Sequence, residues 1–335
     1  MRILILGGTA FLSAEIARQA AAAGHDVTCL ARGSAAVPPE GTAWLRADRA
    51  AGRQSYEQAA GDWDAVIDVT RDPEHARDAL EALAPVAVHW TVVSSCSVYA
   101  DHSVPGEDES AGLLPPLTPG TAAVPENYGE AKSAIEHYAA TIAEGKVHLC
   151  RAGLIGGPGD SSDRYGYWPA RFARDGKPAI VPDIGSSATQ VIDVRDLAAW
   201  ILKAAGLQIT GALNAVGTGV RFDDYLDESQ RQGMYSGRTY SVPEDWLVAR
   251  GIGYWAGPDS LPLWLPAGHD GFATRSNAAA VAAGLNLRPW QETLRDTLED
   301  ERRRGLDRER KAGLSAGTER RLVEEFLHSP FPARG

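Results

Sequence analysis

The chain has 335 residues, a formal net charge of −11, 44% hydrophobic residues and 23% charged ones. That length can bury a sizeable core, as two domains or as one large α/β domain with an appended lobe. The acidic balance argues against a polyanion as main partner, because nucleic-acid binding needs clustered Lys and Arg to neutralise phosphates. No run approaches the ~20 apolar residues of a membrane span. Arg2 is followed by only four apolar residues, Ile3 to Leu6, before Gly7-Gly8, too few for the hydrophobic region of a signal peptide. A cytoplasmic protein is expected. Cys29, Cys96 and Cys150 lie in or beside apolar runs with no CxxC or Cys/His spacing, so buried structural thiols and no metal site are expected.

The first half alternates short β-rich runs with helical patterns, as a parallel sheet covered by helices requires. Strands are expected at Ile3–Leu6, Asp26–Leu30, Ala43–Arg46, Ala65–Val69, His89–Ser94 and Val147–Arg151. Helices are expected at Ala14–Ala23, Tyr56–Ala60, Pro73–Leu83 and Asn127–Ala143. This is the order of a doubly wound dinucleotide fold. Residues 101–126 turn to Pro, Gly, Asp and Glu, a long loop of the kind that is usually functional. Beyond Arg151, Gly156-Gly157-Pro158-Gly159-Asp160 reads as a hinge, Tyr167–Arg174 as a helix, Gln190–Ala205 as strand then helix, and Leu213–Val216 as a further strand. From Phe222 the chain mixes a helix, a Trp- and Pro-rich loop at Trp255–Pro266 and helices at Pro289–Arg304 and Gly317–Leu327. The expected fold class is α/β: a Rossmann-type doubly wound parallel sheet over residues 1–155, to which 188–216 return. A smaller C-terminal α/β substrate lobe would come from 156–187 and 217–335.

Gly7-Gly8-Thr9-Ala10-Phe11-Leu12-Ser13 follows the first strand and opens a helix. In that setting a glycine turn brings a pyrophosphate against backbone N–H groups at a helix N-terminus. The second strand ends Ala31-Arg32-Gly33, where an acid usually reads a ribose 2′-hydroxyl or an Arg accommodates a 2′-phosphate. Ala31 stands where the acid is expected and Arg32 follows it, which favours NADP over NAD. Ser94-Ser95-Cys96-Ser97-Val98-Tyr99 closes the fifth strand. Tyr128-Gly129-Glu130-Ala131-Lys132 sets a phenol and an ammonium on one helix face. A lysine cation favours the phenolate, so a hydroxyl that titrates near pH ~10 unaided becomes a usable acid/base near neutrality.

The glycine turn, the serine segment and the YxxxK helix together resemble the short-chain dehydrogenase/reductase superfamily. The closer likeness is to its extended branch, which includes sugar-nucleotide epimerases and dehydratases. It covers nearly the whole chain and is strongest up to Ala198. The resemblance implies that Tyr128 exchanges a proton, that Lys132 holds the nicotinamide ribose and lowers the tyrosine's pKa, and that Ser95, four residues before Tyr99, fixes the substrate oxygen. It implies cofactor contacts from Gly7, Gly8, Thr9, Ala10, Phe11 and Leu12, from Asp48 at the adenine edge, and from Asp68 and Val69 on the inner face. Ala152, Gly153 and Leu154 would lie beside the nicotinamide, with Ala152 in place of a usual proline. In the superfamily's GxxGxxG pattern Ala10 and Ser13 take the second and third glycine positions, each adding a Cβ, so a strained turn is expected. Arg164, Tyr167, Trp168 and Gln190 fall where relatives face the nicotinamide and are expected in the substrate pocket. Trp246, Trp255 and Trp264 either cap it or fill a core.

Three functions stay open. The first is an NADP-dependent (alternatively NAD-dependent) reductase acting on a carbonyl or hydroxyl of a small metabolite. The second is a sugar-nucleotide epimerase or dehydratase that returns its hydride. The third is a non-catalytic dinucleotide-binding protein, a class that typically loses the Tyr or Lys this chain keeps. Degraded glycines and Arg32 favour the first. The expected partner is a small-molecule substrate, with no nucleic acid and no membrane, and the expected state is a monomer or homodimer.

Overall fold

The computed structural model describes residues 1–34, 36–183 and 187–329. The chain divides into two units, one formed by residues 1–154, 194–217 and 275–287, the other by residues 155–193, 218–274 and those from 288 onward. In the first unit the order is β1 (Arg2–Leu6), α1 (Phe11–Ala22), β2 (Asp26–Ala31), β3 (Ala43–Arg46), β4 (Trp63–Asp68), α2 (Pro73–Leu83), β5 (Ala87–Ser95), α3 (Tyr128–Ile142), β6 (Val147–Ala152), α4 (Val194–Gly206) and β7 (Gly211–Ala215). The strands form one parallel seven-stranded sheet ordered β3-β2-β1-β4-β5-β6-β7. This is the doubly wound order, whose direction reverses between β1 and β4.

Ile3, Leu4, Ile5 and Leu6 are all buried, the continuous apolar run of a strand covered on both faces. α2 starts where the Asp72 carboxylate accepts from the Glu74 and His75 N–H groups and Pro73 occupies the first turn, which satisfies donors the helix leaves free. Its Ala76, Ala79, Leu80 and Leu83 recur at helical spacing and pack with Val66, Trp90 and Ile135. Burying each Leu or Ile of this kind contributes about 1.5–3 kcal/mol.

Two sequence expectations are corrected here. The helix expected at Tyr56–Ala60 is part of a 3₁₀ run, Arg49–Ala59, broken at Gly52 with φ +74°. The return to the first unit is made by 194–217 and also by 275–287, whereas 188–193 belongs to the second unit. Strand pairing explains the second point, since Ala188–Asp193 joins Gly219–Arg221 and Leu154–Gly156 in a small sheet. Residues 275–287 are tied to the first unit by polar contacts. Asn277 donates to the Val216 carbonyl (2.9 Å), Asn214 to the Ser276 carbonyl (3.0 Å), and Lys203 to the Gly284 carbonyl (2.9 Å).

The second unit also contains the strand pairs Thr239–Val242 with Ala179–Pro182 and Gly253–Trp255 with Ser260–Pro262. Its helices include Tyr167–Arg174, Phe222–Gly233, Trp290–Arg304 and Ala316–Leu327. Among the described residues no helix is long and apolar enough to cross a membrane, and no group of three or more His, Cys, Asp or Glu is placed to hold a metal ion.

Candidate active site

The turn after β1 is shaped by close backbone approach. Gly7 and Gly8 have φ of +132° and +96°, and a Cβ on Gly8 would lie 2.4 Å from Cys29 Sγ on β2. A Cβ on Gly7 would lie 3.1 Å from a Val69 methyl at the end of β4. Both positions therefore need glycine.

The strain expected at the other two pattern positions is absent. Ala10 is the N-cap of α1 at φ −113°, ψ 158°, extended backbone open to any residue, so a glycine there would gain no φ relief. Ser13 is buried, its hydroxyl accepting from the Ala10 N–H (3.3 Å) and donating to the Ala10 carbonyl (3.0 Å). No side chain caps α1, because Ala10 carries no oxygen. Its first-turn N–H groups and the helix dipole together favour an anion beside the glycine turn. These residues fit a dinucleotide pyrophosphate.

Around the tip of β2, Trp44 donates to the Ala31 carbonyl (3.0 Å), and a Cβ on Gly33 would strike the Trp44 ring at 2.3 Å. Arg32 points outward and lies 3.9 Å from Asp48, both side chains more than half exposed, a pair that contributes little to stability. Asp68 closes β4. Its buried carboxylate is gripped by Arg49 at 2.7 and 2.9 Å, and Arg49 also donates to Tyr56 Oη (2.9 Å) and the His75 carbonyl (2.8 Å). The Asp68 side chain is thus a structural anchor for the end of β4.

At the other side of the switch point, Ser95 pairs in register with Ala152, so the serine end of β5 lies beside the 152–154 segment. The Ser95 hydroxyl accepts from the Ser97 N–H (3.1 Å) and donates to Ser97 Oγ (3.1 Å), capping the short turn Cys96–Val98. α3 begins at Tyr128, and a Cβ on Gly129 would lie 2.4 Å from the Ser97 carbonyl oxygen. Glycine at 129 therefore lets the first turn of α3 touch the turn that Ser95 caps.

Lys132 is buried, with Nζ 5.9 Å from the Tyr128 ring centre. It donates to the carbonyls of Thr70 (2.6 Å) and Val93 (2.7 Å). An ammonium has three N–H bonds, so one remains for a ligand. Burial pulls the Lys132 pKa down to about 8, with the Asp68 charge opposing the fall.

Sequence reading missed the polar network under this site. Glu136 is buried, accepts from Ser94 Oγ (2.5 Å), and pairs with Arg151 (2.8 Å). Arg151 also donates to Tyr99 Oη (3.1 Å), which donates to Asn214 Oδ1 (2.6 Å). The Tyr99 ring carries Arg151 at 5.1 Å and Arg275 at 4.1 Å. Arg275 holds the 101–126 loop through Glu107 (2.9 Å) and the Asp101 carbonyl. The available signal was Glu136 itself, one more four-residue step along the face of Tyr128 and Lys132.

Residues 3–212 match the description "NAD dependent epimerase/dehydratase family". The chain belongs to that family. Its members are enzymes of the extended short-chain dehydrogenase/reductase type. The 2'-dehydrokanamycin reductase of Streptomyces kanamyceticus is 32% identical over 211 residues, which span 59% of this chain and 56% of that protein. The UDP-glucose 4-epimerase of Thermus thermophilus, solved with NAD, superposes with a TM-score of 0.64 at 18% identity, covering 90% of this chain and 99% of that one. TunA, an NAD-dependent NDP-hexosamine 5,6-dehydratase, superposes with a TM-score of 0.67 at 17% identity, covering 92% and 99%. The last two establish likeness of fold.

The four side chains expected in the substrate pocket of this family member all lie in the second unit. Tyr167 and Trp168 are corrected to core residues. Both rings are fully buried; Trp168 donates to the Pro262 carbonyl (2.7 Å), and Gly313, at φ +112°, leaves room for the Tyr167 ring. Trp246 and Trp264 are likewise buried. Arg164 and Gln190 are half-buried. Arg164 lies 5.3 Å from the half-buried ring of Trp255, whose φ of +65° is unusual for an aromatic residue.

Proposed function

We propose that this enzyme is a reductase that prefers NADP and reduces a carbonyl on a polyhydroxylated small metabolite, in the cytoplasm, as a monomer or homodimer. The observation that carries the reading is the buried Lys132 ammonium, tied to two carbonyls and set against the Tyr128 ring. A relative named as a reductase of a dehydro compound supports the direction. A bound nicotinamide supplies the hydride. Gly7, Gly8 and the uncapped start of α1 would hold the pyrophosphate, and the third Lys132 N–H would hold the ribose. Ser95, kept in place by Ser97, would steady the substrate oxygen. Tyr128 gives its proton to that oxygen as the carbonyl carbon is reduced, and the Lys132 cation stabilises the phenolate left behind. Arg164 and Gln190 are proposed to contact substrate.

The test is stoichiometry. With NADPH and a panel of oxidised sugars and aminocyclitols, consumption of one NADPH per alcohol formed is expected. Isomerised or dehydrated product with no net consumption would point to the second reading, a sugar-nucleotide epimerase or dehydratase, which the activities named for TunA and the Thermus thermophilus enzyme favour.

For the cofactor, NADPH is expected to bind more tightly than NADH, because the Arg32 pair with Asp48 is long and exposed and can be exchanged for a 2′-phosphate. A charge-assisted bond of that kind is worth about 1.5–3 kcal/mol, or some tenfold to a hundredfold in affinity. Arg32→Ala should remove most of the difference in calorimetric titrations. Equal affinities in the unmutated protein would remove the assignment.

A further inference from the structure

Two buried carboxylates, Asp68 and Glu136, favour the charged form of Lys132, and each is paired with an arginine instead. Asp68, at the end of β4, is held by Arg49. Glu136, one helical step along α3, is held by Arg151 on β6 and by the Ser94 hydroxyl. Ser94 is the direct neighbour of Ser95 and faces Arg151 in the sheet register. A single carboxylate therefore ties the middle of α3, one helical step beyond Lys132, to the ends of β5 and β6 that carry Ser95 and Ala152.

We infer that Glu136 is a positioning residue of this site: clamped by Ser94 and Arg151, it aligns α3 with the ends of β5 and β6 and supplies negative charge that keeps Lys132 an ammonium. The alignment part rests on the reductase reading of Tyr128 and Ser95; the charge part does not. Groups that act on Lys132 come from every neighbouring element. Asp68 and Glu136 favour its charged form, while Arg49 and the exposed Arg71 oppose it. Cys150, on β6, is also within electrostatic reach and is kept a neutral thiol by burial. Arg151 screens part of the Glu136 charge, so removal of either member shifts Lys132 in a known direction.

The experiment is a carbon NMR titration of the lysine Cε resonances. The chain has only five lysines, at 132, 146, 177, 203 and 311, and Lys132→Gln identifies the signal. Glu136→Gln leaves the Arg151 cation unbalanced and should lower the Lys132 midpoint by about half a pH unit to one pH unit, while Arg151→Met should raise it by a similar amount. The double variant Glu136→Gln/Arg151→Met should fall between the two single variants, since their shifts oppose each other. An unmoved midpoint in the single variants would overturn the inference, even if turnover fell, because a purely structural role changes activity without moving this titration. If Glu136→Gln does not fold, Arg151→Met and the double variant decide it by the same criterion.

In the turnover assay Glu136→Gln should lower kcat about tenfold to a hundredfold and leave the KM for dinucleotide nearly unchanged, the signature of alignment in the transition state. A normal kcat would remove the positioning role. A shifted titration with a fully active Tyr128→Phe protein would refute the reductase reading and leave the charge assignment standing.

Discussion

Replacement of Tyr128 by Phe is expected to lower turnover by about 10²–10⁴-fold, the usual share of a positioned acid/base. Folding and dinucleotide affinity should hardly change, because a single hydroxyl is removed from a partly exposed ring at the first residue of α3. Lys132→Ala should behave differently. Its ammonium holds the carbonyls of Thr70 and Val93, just beyond the end of β4 and within β5, and both would lose a buried donor, at about 1–3 kcal/mol each. Turnover, dinucleotide affinity and stability should fall together in that variant. The contrast is measured with one assay, one titration and one denaturation curve per protein. A Tyr128→Phe enzyme with unchanged kcat would rule out the proposed chemistry whatever the fold.

Acid should destabilise the first unit through His148. Its ring is fully buried on β6, edge-on to Trp200 at 5.6 Å, and among the described residues neither ring nitrogen has a hydrogen-bond partner. Burial pushes its pKa down to about 3, with nearby His89 acting in the same direction. Since the folded pKa lies below the unfolded value near 6.5, the unfolded chain binds the extra proton between those limits. Stability is therefore complete above pH ~6.5 and is lost as pH falls towards 3, at about 1.4 kcal/mol per pH unit. By pH ~5 the loss from this one group is about 2 kcal/mol. His148→Leu fills a similar space without a titrating group and should flatten that part of the curve. Denaturant midpoints of both proteins at about pH 7 and about pH 5 decide it, and an identical acid loss in the two would mean that other groups carry the effect.

How far the site could be read from the chain depended on whether a residue acts through local spacing or through distant packing. Tyr128 and Lys132 are four apart on a helix, and their proximity follows from helical geometry alone. Gly7 and Gly8 follow a strand and open a helix, and the positive φ found there is what glycine in such a turn implies. The strain that the glycine pattern implies at Ala10 and Ser13 does not arise, because a pattern does not report φ. Ala10 sits in ordinary extended backbone, and the Ser13 hydroxyl closes the turn locally. For Tyr167 and Trp168 the resemblance points to a pocket, yet large aromatic residues are equally suited to a core, and only the packing of Trp168 against Pro262, Phe172 and Phe222 distinguishes the two.

Alternating apolar runs, helix starts such as Asp72-Pro73 and the YxxxK step are properties of neighbours in sequence, so the strand–helix order, the doubly wound class and the shared face of Tyr128 and Lys132 on α3 were determined by the sequence itself. Long-range partners were decided by the tertiary structure: Arg49 on Asp68, Arg151 on Glu136, Asn277 on Val216, and the return of 275–287 to the first unit. The reason is physical. A buried charge must find an opposite charge or a donor wherever the fold brings one, and nothing in the local spacing of Glu136 or Asp68 says which of the chain's many arginines that will be.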